Sequence, residues 1–219
     1  VNLTTITGIV GTGKSTLAGL LTDNNTSFKI SGDLNSVTKG ADICKPQNGP
    51  TASAPKICIC DVEGQADGLG IGWEAKLAAP LVLTSKVLIV NVMCNTGRLS
   101  VTSIDRLRNV LHVVQMVHPD KMRENMLGHL HVILRDCPSN MSVEDATRKL
   151  LAKEDVEKCN PMCRPQAIER NKLRSDIAKY FASANVWCLP KPCSDPTAFS
   201  GLLAGASPEF QEQLTALKK

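Results

Sequence analysis

Short apolar runs along the chain predict a set of buried strands. Residues 3–9 alternate and are rich in β-branched side chains, which is typical of a strand. Residues 56–61 and 86–92 are nearly continuous apolar runs, and residues 129–134 and 186–189 have the same character. We therefore expect at least five strands, well spaced along the chain.

Apolar side chains at helical spacing predict helices between and after these strands. One helix begins at residues 15–21, and residues 104–117 and 209–217 predict two more. Residues 142–157 predict a charged helix capped by Ser142. Residues 166–181 predict another, with an apolar side and a solvated basic side: Ile168, Leu173, Ile177, Tyr180 and Phe181 inward, and Arg170, Lys172, Arg174 and Lys179 outward.

Length and composition fit one α/β domain, residues 1–219, and they limit the classes of partner that we expect. The net charge is only +4, and no dense basic run carries interleaved aromatic residues, so nucleic acid is not an expected partner. No apolar run reaches the roughly 18 residues that a membrane-spanning helix needs. Because Val1 almost directly opens the first strand, we expect an excised domain of a longer cytoplasmic protein, with any membrane anchor elsewhere.

The nine cysteines are spread along the chain. Cys58 and Cys60 lie on an apolar run and are predicted core thiols. The other candidate cluster, which is Cys159, Cys163, Cys188 and Cys193, is spaced too loosely for the usual zinc knuckle. Reduced thiols are the expected state, and a zinc site remains the alternative.

The stretch 8–15, Gly-Ile-Val-Gly-Thr-Gly-Lys-Ser, fits the phosphate-binding loop G-x-x-x-x-G-K-[ST] between a predicted strand and a predicted helix. Glycines let successive backbone N–H groups surround an anion, and the helix begins with its positive end toward the phosphates. Lys14 is the expected ligand of the β- and γ-phosphates, and Ser15 of Mg²⁺. The predicted phosphate-binding residues are Gly11, Thr12, Gly13, Lys14, Ser15 and Thr16.

Asp61 to Gln65 read D-x-x-G-Q at the end of a predicted buried strand. A carboxylate there can hold Mg²⁺, usually through water, and the Gly64 N–H can bond the γ-phosphate. Gln65 stands where Ras-type enzymes place the glutamine that orients water. Thr38, in a polar stretch after the first helix, is the expected first-switch residue that completes the Mg²⁺ shell. The predicted catalytic set is therefore Lys14, Thr38 and Gln65, and the predicted metal set is Ser15, Thr38 and Asp61.

The strand at residues 129–134 is followed by Arg135 and Asp136. A carboxylate at this edge can accept hydrogen bonds from both N1–H and N2–H₂ of guanine, whereas adenine offers no such pair of donors. The usual N-K-x-D guanine motif is absent from the chain. Arg135 and Asp136, with Pro190 in the loop after the last strand, are the predicted base-binding residues.

Together these motifs resemble one family, the atlastin, guanylate-binding-protein and root-hair-defective group of dynamin-related large GTPases. The resemblance covers nearly the whole chain and rests on these segments: 8–15, 38–40, 61–64, 88–98, 133–136 and 189–192. The Arg-Asp dipeptide in place of N-K-x-D is its diagnostic mark. The resemblance implies a P-loop GTPase G domain with a mostly parallel central sheet and helices on both faces. It also implies binding of GTP, GDP and Mg²⁺, hydrolysis, and a homodimer across the nucleotide face. Membrane or endomembrane attachment is implied only for regions that are not in this chain.

Two departures from the family pattern leave alternatives open. Gly11 stands where atlastins and guanylate-binding proteins carry an arginine finger, and Gln65 stands where the family commonly has another residue. The alternatives are a module that binds guanine nucleotide with little or no hydrolysis, and an ATP-using kinase or ATPase that shares only the phosphate loop. The Arg-Asp pair argues against the second.

Overall fold

The computed structural model describes residues 1–8, 11–22, 28, 40–48, 53–62, 79–94, 108, 111–112, 115, 123–138, 141–193 and 203–218. Six strands are formed there: β1 (Asn2–Gly8), β2 (Ala41–Ile43), β3 (Ile57–Val62), β4 (Val87–Met93), β5 (Leu127–Arg135) and β6 (Phe181–Leu189). Four α-helices have complete bounds: α1 (Lys14–Leu21), α2 (Val143–Leu151), α3 (Arg164–Tyr180) and α4 (Pro208–Leu217).

The strands form one sheet in the order β2-β3-β1-β4-β5-β6. All neighbouring pairs are parallel except β2 and β3, which are antiparallel. The sheet grows outward from β1 in both directions, so the loop after β1 lies where the strand order reverses. Ligands of open α/β sheets bind beyond the carboxyl ends of the strands at such a position.

Helices cover both faces of the sheet, which confirms the predicted α/β fold. On one face, α1 and α4 bury Leu17, Leu20, Phe210 and Leu214 against β1, β4 and β5. On the other face, α2 and α3 bury Leu150, Leu173 and Ile177 against β4, β5 and β6. Alternate side chains of β5 therefore enter different cores, since Ile133 packs with α1 and α4 while Val132 and Leu134 pack with α2 and α3.

Four of the five predicted strands are confirmed to within two residues, the last one begins five residues earlier than predicted, at Phe181, and β2 was not predicted. Its three residues are too few to produce a periodic pattern, and Ile43 on this edge strand is 59% exposed. The helix predicted over residues 104–117 falls mostly outside the described residues. The four of those residues that are described, at 108, 111, 112 and 115, are helical, and Leu111 is buried.

Two predictions about the charged helices were wrong. The helix capped by Ser142 ends at Leu151, because Ala152 adopts an extended backbone conformation, and it does not continue to residue 157. Arg174, predicted on a solvated face, is only 5% exposed, whereas Ile168, predicted inward, is 55% exposed. Arg174 is buried because its guanidinium is fully engaged: it pairs with Glu154 at 2.7 Å and donates to the carbonyls of Leu150 and Lys149.

Within the described part of the chain, no helix is long and apolar enough to cross a membrane.

Candidate functional site

The loop between β1 and α1 needs glycine at three positions. Gly8, Gly11 and Gly13 all have positive φ, at 149°, 76° and 75°. A Cβ at Gly8 would lie 2.3 Å from the Asn91 backbone oxygen, so β4 passes too close for any side chain there. Gly11 is exposed, and a Cβ on it would have no atom within 4 Å. The loop is therefore tight against the sheet on one side and open on the other.

Helix α1 begins directly after this loop, without a side-chain cap. Its N-cap, Gly13, supplies no side-chain hydrogen bond, and its first turn carries no acidic residue. The first N–H groups of a helix have no partner within the helix, so an uncapped start is a natural anion site. Lys14, the first helical residue, is only 6% exposed and adds a positive charge at the same place.

Ser15 and Asp61 meet at the carboxyl end of β3. The Ser15 hydroxyl donates a hydrogen bond of 2.5 Å to Asp61 Oδ2, and Asp61 is fully buried. A hydroxyl and a carboxylate are hard oxygen ligands of the kind that Mg²⁺ prefers, and this ion commonly takes only one or two protein carboxylates. The pair therefore fits a magnesium ion that is held beside the phosphate loop.

Two side chains from other strands donate hydrogen bonds to the loop from the sheet side. Asn91 on β4 donates from Nδ2 to the Thr12 carbonyl at 2.7 Å and to Thr12 Oγ1 at 3.3 Å. Arg135, at the end of β5, donates from Nη1 to the Gly13 carbonyl at 3.2 Å. Burial lowers the pKa of Arg135, although nearby Asp136 opposes that shift.

Asp136 and Pro190 follow adjacent strands at the same edge of the sheet. Asp136 has a φ of 59°, a left-handed conformation that aspartate tolerates better than most residues. The next residue, Cys137, donates its backbone N–H to the Leu189 carbonyl at 3.1 Å, which ties the Asp136 turn to the residue before Pro190. Since Arg135 reaches Gly13, the predicted base-binding turn is linked to the phosphate loop through one residue.

Three buried thiols lie behind this turn. Cys94, Cys137 and Cys188 belong to one apolar cluster at the ends of β4, β5 and β6. A hydrogen bond with Cys188 and burial both raise the pKa of Cys137, and the same hydrogen bond lowers the pKa of Cys188. Among the described residues, no three cysteine, histidine or acidic side chains lie together in a way that could hold a metal ion.

The structure thus brings together most of the predicted site residues. Thr38, Gly64 and Gln65 fall outside the described residues, so their roles remain predictions. Arg135 contacts the phosphate loop, a contact that the sequence interpretation did not foresee. Asn91 was missed altogether, although one polar side chain inside an apolar run of β4 is a signal that sequence reasoning can use.

Comparison with known proteins identifies a family for this chain. The family model described as "Guanylate-binding protein, N-terminal domain" matches residues 1–218. The chain is 28% identical over 220 residues to Protein sey1 of Aspergillus niger, an alignment that covers 96% of this chain and 24% of that protein. It is 29% identical over 195 residues to Protein SEY1 of Paracoccidioides brasiliensis, which covers 82% of this chain and 21% of that protein. The chain therefore spans about a quarter of the length of these curated relatives.

A solved structure shares the fold. A dimerization-deficient mutant of Toc33 from Arabidopsis thaliana superposes with a TM-score of 0.53 at 12% identity. The superposition covers 99% of this chain and 82% of that chain.

Proposed function

This chain belongs to the guanylate-binding protein N-terminal domain family, which is part of the dynamin-related large GTPases, and from that premise we propose how it acts. It is a GTP-binding domain that hydrolyses GTP to GDP with Mg²⁺ and couples its nucleotide state to self-association. One observation carries the proposal: the hydrogen bond from Arg135 to the Gly13 carbonyl ties the Arg-Asp turn to the phosphate loop. A nucleotide whose phosphates lie on the loop would then place its base near Asp136.

At the phosphate end, the chain supplies positive charge and oriented donors. The backbone N–H groups of the loop and of the start of α1 would bind the phosphate oxygens, and the buried Lys14 would neutralise them. When bound, Mg²⁺ offsets charge on the β- and γ-phosphates. Ser15 would bind that ion directly and Asp61 through water, in agreement with their 2.5 Å contact. Thr38 would complete the shell, Gly64 would bond the γ-phosphate, and Gln65 would orient the attacking water.

At the base end, Asp136 would select guanine. Its carboxylate can accept two hydrogen bonds from N1–H and N2–H₂, and Pro190 would lie beside the base. Asp136→Asn should therefore weaken GTP binding by roughly 100-fold or more and favour xanthosine triphosphate, whose C2 oxygen can accept from the new amide. Competition of both nucleotides against a fluorescent GTP analogue measures the change.

Asp145→Asn is the matched control for this test, because Asp145 is exposed on α2 and its carboxylate pairs with the exposed Arg148 of the same helix. It should leave the preference for GTP unaltered. An Asp136→Asn protein that still prefers GTP as strongly as the parent would remove Asp136 from base recognition. Efficient competition by ATP would point to the alternative adenine-nucleotide enzyme.

A second candidate function is nucleotide binding with little turnover. It is favoured by Gly11, because an arginine finger contributes roughly 10³ to 10⁵ to the rate in GTPases that use one. Phosphate release in a single turnover, measured at low and at high protein concentration, separates the two functions. A rate per domain that rises with concentration supports hydrolysis coupled to a homodimer across the nucleotide face, whereas a negligible rate at both concentrations supports the binding module.

A further inference from the structure

Asn91 is a polar side chain in the most buried part of the sheet. It lies on the central strand β4, is fully buried, and has apolar neighbours on both sides along the strand. Burying an amide is unfavourable unless it is hydrogen-bonded, so a side chain of this type needs a specific partner. Its Nδ2 has one in the Thr12 carbonyl at 2.7 Å, although the two residues are 79 positions apart.

This hydrogen bond fixes the orientation of a peptide group in the phosphate loop. The Thr12 carbonyl and the Gly13 N–H belong to the same planar trans peptide and point in opposite directions. Because Asn91 holds the carbonyl toward the sheet, the Gly13 N–H is directed away from the sheet, toward the open side of the loop. The next carbonyl, of Gly13, accepts from Arg135 at 3.2 Å and from the Leu17 N–H of α1 at 2.9 Å, and these two donors fix the orientation of the Lys14 N–H.

Glycine makes this external support necessary. Gly13 has a φ of 75° and no side chain to restrict it, so the Thr12–Gly13 peptide before it can rotate at little energetic expense. The peptide after it is held by the helix, since the Gly13 carbonyl accepts from the Leu17 N–H at 2.9 Å. The oxygen of the Asn91 amide, Oδ1, is buried and has no hydrogen-bond partner among the residues that the structure describes. Burying this oxygen without a donor is unfavourable, so packing alone would favour an apolar residue at this position. The hydrogen bond from Nδ2 to the loop is the feature that an apolar residue could not supply.

We infer that Asn91 is a positioning residue for phosphate binding, one that orients the Gly13 N–H toward the β-phosphate through the Thr12 carbonyl. The inference rests on the proposed function. It assigns Asn91 no contact with the nucleotide, and the effect passes entirely through the peptide group that it holds.

The test compares nucleotides with and without a β-phosphate. Asn91→Leu keeps the branched shape of the side chain, with the same number of heavy atoms, and removes the donor. It should weaken GDP binding about 10-fold, the effect of one lost hydrogen bond, while GMP binding changes less than about two-fold. The ³¹P chemical shift of the β-phosphate of bound GDP should also move. Val92→Ala is the control, because Val92 is buried next along the same strand in the opposite core. It should lower the melting temperature without changing the ratio of GDP to GMP affinity.

The failure of this inference differs from the failure of the proposed function. Lys14→Ala should abolish GDP binding, and if it does not, or if the parent protein binds no guanine nucleotide, the proposed function fails. If Lys14→Ala loses GDP while Asn91→Leu keeps the parent ratio of GDP to GMP affinity, only the inference is overturned. An equal loss of GDP and GMP would also overturn it, since that result indicates general destabilisation. Should Asn91→Leu not fold, the same comparison on Asn91→Ala decides.

Discussion

Ser15 contacts a carboxylate that lies 46 residues further along the chain, and this contact has two consequences. It gives the buried Asp61 a donor within the protein, and it places two magnesium-type oxygens side by side. Removing the hydroxyl should therefore affect both the stability of the fold and the response of nucleotide binding to the metal.

We expect Ser15→Ala to lose most of the gain in GDP affinity that Mg²⁺ provides, by roughly 10-fold or more, because a ligand of the ion is removed. Binding titrations with excess Mg²⁺ and with a chelator measure this gain. Thr215→Ala removes a hydroxyl that bonds only the Gln211 carbonyl on the exposed part of α4, and serves as control. A Ser15→Ala protein with the full Mg²⁺ response would exclude Ser15 as a metal ligand.

At this scale the sequence predicts the residues that a motif contains, but not the residues that hold the motif in place. Local sequence motifs predict the roles of Lys14, Ser15 and Asp61, because the chemistry of each motif requires a fixed spacing between its residues. The contacts of Asn91 with Thr12 and of Arg135 with Gly13 join positions 79 and 122 apart, which no local pattern encodes. Only the strand order that places β4 and β5 beside the loop makes them visible.

Among the elements, the connection between α2 and α3 departs most from expectation. Glu154 lies beyond the end of α2, where it accepts hydrogen bonds from Arg170 and Arg174 of α3. The Glu154 backbone is also held by the Asn171 side-chain amide, which accepts from its N–H and donates to its carbonyl. These contacts compete with continuation of α2. The pattern of apolar residues along α2 cannot predict them, because the donors belong to α3.

The same contacts predict a pH dependence. Hydrogen bonds from Arg170, and then from Arg174, lower the pKa of Glu154 from 4.5 to about 2, against the opposing effect of burial. Its contribution to stability is therefore complete above about pH 5 and is lost as the pH falls from 4.5 toward 2. Because the carboxylate is 27% exposed, we expect about 1–2 kcal/mol at neutral pH. The difference in urea stability between the parent and Glu154→Gln should shrink as the pH falls from 5 toward 2, and a constant difference would contradict this.

Arg174→Met should lower the stability of the fold more than Lys172→Met, a substitution two residues earlier on the same helix. Arg174 is buried and its guanidinium also donates to the carbonyls of Leu150 and Lys149, so the variant removes the donor to both carbonyls and one of the two arginine partners of Glu154. We expect a loss of about 3 kcal/mol, against less than about 0.5 kcal/mol for the exposed Lys172. Similar unfolding midpoints for the two variants would show that the buried ion pair adds little to the fold.

For the whole molecule, the site joins parts of the chain that are far apart in sequence. Nucleotide contacts are proposed at the ends of β1, β3, β5 and β6, so a bound nucleotide would connect both halves of the sheet. At 100 times its dissociation constant, GDP with Mg²⁺ should add about 2.7 kcal/mol to stability. For a domain of this size that is a rise of roughly 5–10 °C in melting temperature.

Thermal unfolding with GDP, with ATP and without nucleotide measures this effect. ATP should give little shift, and Lys14→Ala should abolish the shift with GDP while melting near the parent without nucleotide. A comparable shift with ATP would contradict guanine selectivity at the level of the whole fold. The fold class was predictable from alternating patterns of apolar residues, whereas the convergence of these strand ends depends on the order of the strands in the sheet.

Helix α3 ends at Tyr180 and β6 begins at Phe181, with no connecting residue between them. Along β6, Val186 and Cys188 enter one core, while Trp187 and Leu189 face the other. One amino acid inserted at this junction would exchange the two sets, or else rotate α3 by about 100° about its axis. The junction thus fixes which side chains of β6 face each core, in the strand that leads to the predicted base-binding residues. We expect insertions and deletions to be tolerated far less there than in the connections at the opposite edge of the sheet.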